Sequence, residues 1–200
     1  MLKQKLRRSA RITRYIVYKE TLIDGKEHVW SFIGAFTGIL AIALLQEQLL
    51  LDRLENVFLI GSFGASCVLI YGAIQSPLAQ PRNLVGGHVL SAIIGVTVYK
   101  LFPHALALAA PLAVSLSIVL MQMTKTLHPP GGATALIAVI GTPRVKELGY
   151  WYVVSPVLSG CIILLIVALV CNNMTPHRSY PTNSRFTRLI KARNKKGEAA

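Results

Sequence analysis

The chain has 200 residues, of which 53% are hydrophobic and 14% charged, with a mean hydropathy of +0.53 and a formal net charge of +13. Soluble chains are about 25% charged, so this composition excludes an ordinary water-soluble domain. Of the 21 Lys and Arg, eight lie in residues 1–29, seven in residues 172–200 and only six in the 142 residues between, so the positive charge belongs to two tails around an apolar body. No stacking aromatics or recognition motif accompany it. That argues against a nucleic-acid partner and for anionic lipids at the basic tails.

In chain order, residues 1–29 lack the apolar core of a signal peptide and read as a basic cytoplasmic segment, with "LRRSARITRYIVYK" suited to an amphipathic helix on an anionic leaflet. Its Arg-rich, acid-poor start leaves an organelle envelope open beside the expected bacterial inner membrane. Apolar runs long enough to cross a bilayer follow at residues 30–45, 57–74, 84–102, 106–123 and 151–171. A sixth, at residues 133–141, is half as long. Residues 172–200 close the chain as a second basic cytoplasmic tail. Two cytoplasmic tails demand an even number of crossings, with residues 46–56, which carry three acidic residues against one Arg, as the first outside loop. The expected fold is therefore an all-α integral membrane protein of about six transmembrane segments, one of them short and broken. Cys67, Cys161 and Cys171 lie within apolar runs without metal-ligand spacing and read as buried small hydrophobes. Neither a metal nor another cofactor is expected.

The sequence matches itself at an offset of 68. "GASCVLIYGA" from Gly64 lies over "GATALIAVIG" from Gly132, and "VLSA" from Val89 lies over "VLSG" from Val157. Units of three segments, residues 30–102 and 106–171, would stand upside down to each other, the inverted-repeat plan of many transporters, with a site near the midplane. The turns Gly64-Ala65-Ser66 and Gly132-Ala133-Thr134 would then face each other.

The short segment is the most informative stretch. In "KTLHPPGGATALIAVIGTP", Pro129 and Pro130 interrupt the chain, Gly131 and Gly132 leave room for close approach, and a new helix is expected from about Ala133. Unpaired amides at such a helix start carry the positive dipole end and suit a small anion. Thr134, and Ser66 in the other half, add hydroxyl donors. A bulky Leu at Gly132 is expected to abolish transport. The alternative for this stretch is a plain loop, with the prolines as punctuation and His128 at the membrane surface. His88, four residues into its span, has two readings: a functional group inside the membrane, or a neutral histidine bonded to a neighbouring carbonyl. With every Asp and Glu outside the confident spans, any proton coupling would fall to His88 or His128.

"HPPGGATAL", with "GASCVLIYG" and "SPLAQPRNLVGGHVLSAIIGV" upstream, resembles the HPP family of integral membrane proteins, over residues 30–173. The family tripeptide is His128-Pro129-Pro130 here. Family descriptions count four spans, and plant members in the chloroplast envelope are associated with nitrite transport. The resemblance therefore implies a channel or transporter for a small inorganic anion, nitrite or nitrate; with every Asp and Glu outside the confident spans and no His/Glu metal spacing, an enzyme is not expected. The residues expected to bind the anion are Gly64, Ala65, Ser66, His88, His128, Gly131, Gly132, Ala133 and Thr134. The alternatives are a non-catalytic scaffold or subunit gripping a partner through small-residue faces, and a His-dependent membrane enzyme. Homo-oligomerisation is left open.

Overall fold

The structure is a computed structural model and describes residues 25–48, 61–175 and 178–182. The expected N-terminal amphipathic helix, the outside loop from residue 49 onward and the tail beyond residue 182 lie outside the described residues. The described residues form helices and connecting turns, with no strand among them. In order they are α1 (Gly25–Gln48), α2 (Gly61–Gly72), α3 (Pro81–Leu101), α4 (Leu106–Met123), α5 (Pro129–Ile140), α6 (Pro143–Glu147) and α7 (Val153–Cys171).

Four of these, α1, α3, α4 and α7, are long and apolar enough to cross a membrane, whereas α2 and α5 are short apolar helices. Of the second span, read over residues 57–74, the described part is a helix from Gly61 that ends at Gly72, its last turn widened to π-helical geometry, and residues 57–60 lie outside the described residues. One expectation changes here: the short helix expected from about Ala133 starts at Pro129. Proline is tolerated in a first helical turn because no intrahelical partner awaits its missing N–H, so Pro129 and Pro130 open α5, with His128 as its extended N-cap (φ −141°, ψ 104°). In α7, Ser155 keeps extended backbone (φ −137°, ψ 122°) ahead of Pro156, as the residue before a proline prefers, and this kinks the helix near its start.

Side-chain contacts fix the directions of the helices. The α3 helix runs antiparallel to α4, with Arg82 reaching the Thr124 carbonyl at one end and Ile94 and Val98 packing with Ala109 and Ala113 towards the other. It also runs antiparallel to α7, where Ala92 and Val96 meet Val153 and Val157. The α5 helix and its lead-in run parallel to α3: Asn83 binds the Leu127 carbonyl, Gly87 lies against His128 and Gly95 against Ala135. Residues 124–128 thus descend along the first turns of α3, and the roughly 18 Å of α5 continues to the far end. The α2 helix runs the other way, from Ser62 beside Pro130 to Tyr71 beside Ser31. With α1 running from Glu27 beside Arg178 to Gly38 beside Leu164, α4 points opposite to α1, α5 to α2, and α7 to α3.

Close approach of the backbones depends on missing side chains. Tyr71 lies across Gly34 and Gly38 of α1 and donates from its hydroxyl to the Leu164 carbonyl at 3.1 Å, joining α1, α2 and α7. A Cβ at Gly95 would stand 2.5 Å from the Ala135 carbonyl oxygen, so α3 and α5 touch backbone to backbone. The outer surface is apolar, with Phe32, Phe36, Leu116 and Ile166 exposed, while serines, threonines and histidines are buried. Apolar outside and polar inside is the distribution that hydrocarbon solvent selects.

The basic tail expected from residue 172 begins inside the fold. Arg178 is 1% exposed: it donates to the Tyr71 carbonyl at 2.7 Å and the Glu27 carbonyl at 3.2 Å, and its Nε stands 3.4 Å from the Glu27 carboxylate. Burial lowers its pKa and Glu27 opposes the shift. The guanidinium thereby satisfies the Tyr71 carbonyl at the C-terminal end of α2, where a cation is favoured. Tyr180 donates to the Ala79 carbonyl at 2.7 Å. Residues 178–182 thus strap the segment between α2 and α3. Because residues 27 and 178 meet, the described chain begins and ends at one end of the bundle.

Candidate functional site

At the centre of the bundle five polar side chains, none more than 4% exposed, form one hydrogen-bonded cluster. Ser62 and Ser66 come from one face of α2, four residues apart and so one above the other. His88 comes from α3, Thr134 from the second turn of α5, and His128 from its N-cap. Ser66 Oγ lies 2.8 Å from His88 Nε2 and 3.0 Å from His128 Nε2, bridging the two imidazoles. On its other side His88 places Nδ1 2.7 Å from Thr134 Oγ1, which lies 2.8 Å from Ser62 Oγ. His128 Nδ1 lies 2.9 Å from the carbonyl of Leu78, in the loop before α3.

Four residues singled out from the sequence, Ser66, His88, His128 and Thr134, are therefore brought together, although up to 68 positions separate them. Both histidines are held by hydroxyls, and neither ring nitrogen of His88 meets a carbonyl. Gly131 faces inward for another reason: a Cβ there would lie 2.9 Å from both the Gly87 carbonyl oxygen and Ser91 Oγ, so it serves packing against α3. The remaining positions do not join the cluster. Ala65 and Ala133 are exposed, Gly64 and Gly132 are half-buried, and a Cβ on Gly132 would meet only Val114, at 3.9 Å. The amides expected at the start of α5 are also scarce. Pro129 and Pro130 have none, and the Gly131 N–H donates to the His128 carbonyl at 2.8 Å.

The sequence reading missed Ser62, whose spacing of four from Ser66 within an apolar run was a usable signal. It also missed Tyr152, which donates to the Thr134 carbonyl at 3.0 Å and braces α5, and the Leu78 carbonyl, which no side-chain pattern reveals. The three described carboxylates, Glu27, Glu47 and Glu147, lie near helix ends, away from the cluster. Among the described residues no three His, Cys, Asp or Glu side chains gather as metal ligands. What remains is a buried, carboxylate-free set of hydroxyls and imidazoles at the centre of the bundle, able to donate hydrogen bonds and to pass protons. A separate cleft of about 500 Å³ lies at the end of the bundle near Gln80, Arg82 and Leu169, outside this centre.

Comparison with known proteins places this architecture. Residues 20–181 match the family described as HPP, transmembrane region, ten residues earlier and eight later than the motif-based resemblance. Including residues 178–181 agrees with the buried strap. Two transmembrane proteins of Dictyostelium discoideum are similar over 161 residues, at 50% and 48% identity, covering 79% of this chain and 56% and 51% of theirs. The chain thus spans about half the length of these relatives. No solved structure matches it. With four helices fit to cross a bilayer, an apolar exterior and a family match over most of its length, the chain belongs to the HPP transmembrane family and is an integral membrane protein.

Proposed function

We propose that the protein is a channel or transporter for a small monovalent inorganic anion, nitrite or nitrate, which passes through the Ser62–Ser66–His88–His128–Thr134 cluster. The observation that carries this reading is the convergence of five donor-bearing, carboxylate-free side chains in an apolar membrane body. Burying polar groups in the membrane interior is costly, and groups placed there mark pathways. In the described state the donors satisfy one another, so an anion would enter by replacing bonds within the cluster, with the dipole of α5 behind it.

The opposed helix directions support an inverted repeat of three plus three segments. At the offset of 68, Ser66 corresponds to Thr134, and these two hydroxyls hold the two nitrogens of His88. Ser62 corresponds to Pro130, whose carbonyl lies 3.1 Å from Ser62 Oγ. The site thus sits where the two halves meet, as in transporters of this plan. The shared end of the described chain is the cytoplasmic one in this reading, because the basic tails belong there and bind anionic lipid. The membrane is a bacterial inner membrane or an organelle envelope.

The test is nitrite, nitrate, formate and chloride flux into liposomes containing the purified protein, with Thr134→Val and His128→Asn beside the wild type. Saturable nitrite or nitrate uptake, lost in both folded variants, is the expected result. A second reading, a scaffold or subunit, is favoured by one observation: the cluster is closed and mutually satisfied, as an architectural network would be. Absence of flux of every anion from folded protein would replace transport by that reading.

A further inference from the structure

The hydrogen-bond directions in the cluster are anchored at one atom. The Leu78 carbonyl can only accept, so His128 Nδ1 carries the proton that bridges their 2.9 Å separation. In neutral His128, Nε2 is then an acceptor, and Ser66 Oγ at 3.0 Å donates to it in preference to the Ser62 carbonyl at 3.2 Å. Having spent its single proton, Ser66 Oγ accepts from His88 Nε2, which is therefore the protonated nitrogen. His88 Nδ1 in turn accepts from Thr134, and Thr134 accepts from Ser62. The Pro130 and Ser62 carbonyls lie 3.1–3.5 Å from these hydroxyls as alternative acceptors; with the hydroxyls turned to their side-chain neighbours, every donor in the row Ser62, Thr134, His88, Ser66, His128 points the same way, towards Leu78. Leu78 stands in the partly exposed loop at the end of the bundle where the described chain begins and ends.

We infer that this row is a proton relay and that anion passage through the site is coupled to proton movement. The inference rests on the anion-transport reading and adds the coupling ion to it. A proton arriving at Ser62 Oγ lets Ser62 pass its own proton to Thr134, and Thr134 passes its own to His88 Nδ1. His88 releases the proton on Nε2 to Ser66, and Ser66 gives its own to His128 Nε2. His128, now protonated on both nitrogens, loses the Nδ1 proton to water at the Leu78 loop. Each oxygen and ring ends with the number of protons it began with, and one proton has crossed from Ser62 to Leu78. Reset requires rotation of three hydroxyls and exchange of tautomer in two rings. Protonation of either imidazole along the way also supplies the positive charge that a passing anion pairs with, which links the two fluxes at one place.

The other groups around the pair fit this role. The two imidazoles have ring centroids 5.0 Å apart, and Phe63 of α2 closes the other side of His88 at 5.4 Å. Titratable groups on the packed elements are Cys67 of α2, buried in the adjoining apolar cluster, Cys161 of α7, whose thiol is against the Leu84 carbonyl, and Tyr152, whose hydroxyl is committed to Thr134. No described carboxylate hydrogen-bonds to either ring, so the histidines alone provide basic sites in the row.

The experiment uses the full chain in liposomes loaded with a pH-sensitive dye, with potassium on both sides, and with protein-free vesicles subtracted. A nitrite pulse is applied with and without valinomycin. The expected result is saturable nitrite uptake, interior acidification in step with it, and no acceleration by valinomycin, because an anion moving with one proton carries no net charge. Ser66→Ala, which removes only the oxygen between the rings, should cut the acidification at least about tenfold, and Ser66→Thr, which keeps the hydroxyl, should restore it. Saturable uptake without acidification, accelerated by valinomycin, overturns the relay and leaves the anion reading intact. Coupled uptake that survives in folded Ser66→Ala also overturns it. Absence of any saturable nitrite uptake overturns the anion reading itself, and the coupling with it.

Discussion

The inner and outer faces of the two short helices carry the same kinds of small residue to opposite ends. On the inner face, Ser62, Ser66 and Thr134 enter a closed network with two histidines. On the outer face, Gly64, Ala65, Gly132 and Ala133 look away from it, and Gly132 has only Val114 near its vacant Cβ position. Glycine-rich turns attract attention in a sequence because they permit close approach, yet here the approach serves helix packing. The chemistry lies with isolated polar residues set one helical turn from each other.

Adjacent glycines give the sharpest way to break this comparison. Gly131→Leu would drive side-chain atoms into the Gly87 backbone and is expected to cost about 3 kcal/mol, read as loss of a monodisperse, folded species in detergent. A Gly131→Leu protein that melts like wild type would show that the contact of α3 and α5 is not as close as described. Next comes His88→Ala, which opens a cavity and strands the Ser66 and Thr134 hydroxyls. About 2–3 kcal/mol of stability should go, with transport abolished. Measuring transport under conditions where the variant stays folded separates the two effects, and unimpaired flux there would remove the cluster from the pathway. Arg178→Ala leaves the Tyr71 carbonyl and Glu27 without their cation; because Glu27 is 29% exposed, about 2 kcal/mol is expected rather than the full cost of a broken buried pair. A thermal melt in detergent reads it, and an unchanged melting temperature would mean that residues 178–182 are a tail after all. The smallest effect belongs to Gly132→Leu, which should change stability by less than about 0.5 kcal/mol and keep transport. Loss of flux in that protein would restore the glycine turn as the binding place.

The strap shows the limit of composition as a guide. Arg178 sits among seven Lys and Arg in the last 29 residues, and nothing in its local pattern distinguishes it from those around it. Only the return of the chain to the ends of α1 and α2 gives it a set of carbonyls to satisfy. Pro129 and Pro130 were legible as punctuation, but proline marks a helix start as readily as a break, so the boundary moved by four residues towards His128. The apolar run of the second span continues to Ile74, and the described helix stops two residues earlier, at Gly72, with π-helical geometry in its last turn.

By itself the sequence determined that the chain lives in a membrane, because its apolar runs are long enough to cross a bilayer and its positive charge is confined mostly to the two tails. It also determined the long spans, the short helix of the HPP motif and its family, all of which depend on local order along the chain. The tertiary structure decided which polar residues act together. Ser66, His88 and Thr134 are 22 and 46 positions apart, and no local periodicity links such distances. They meet because glycines let α3 and α5 touch and because α2 and α5 run in opposite directions. Inside a bilayer each buried donor must find an acceptor within the protein, and that requirement is met only by the folded whole.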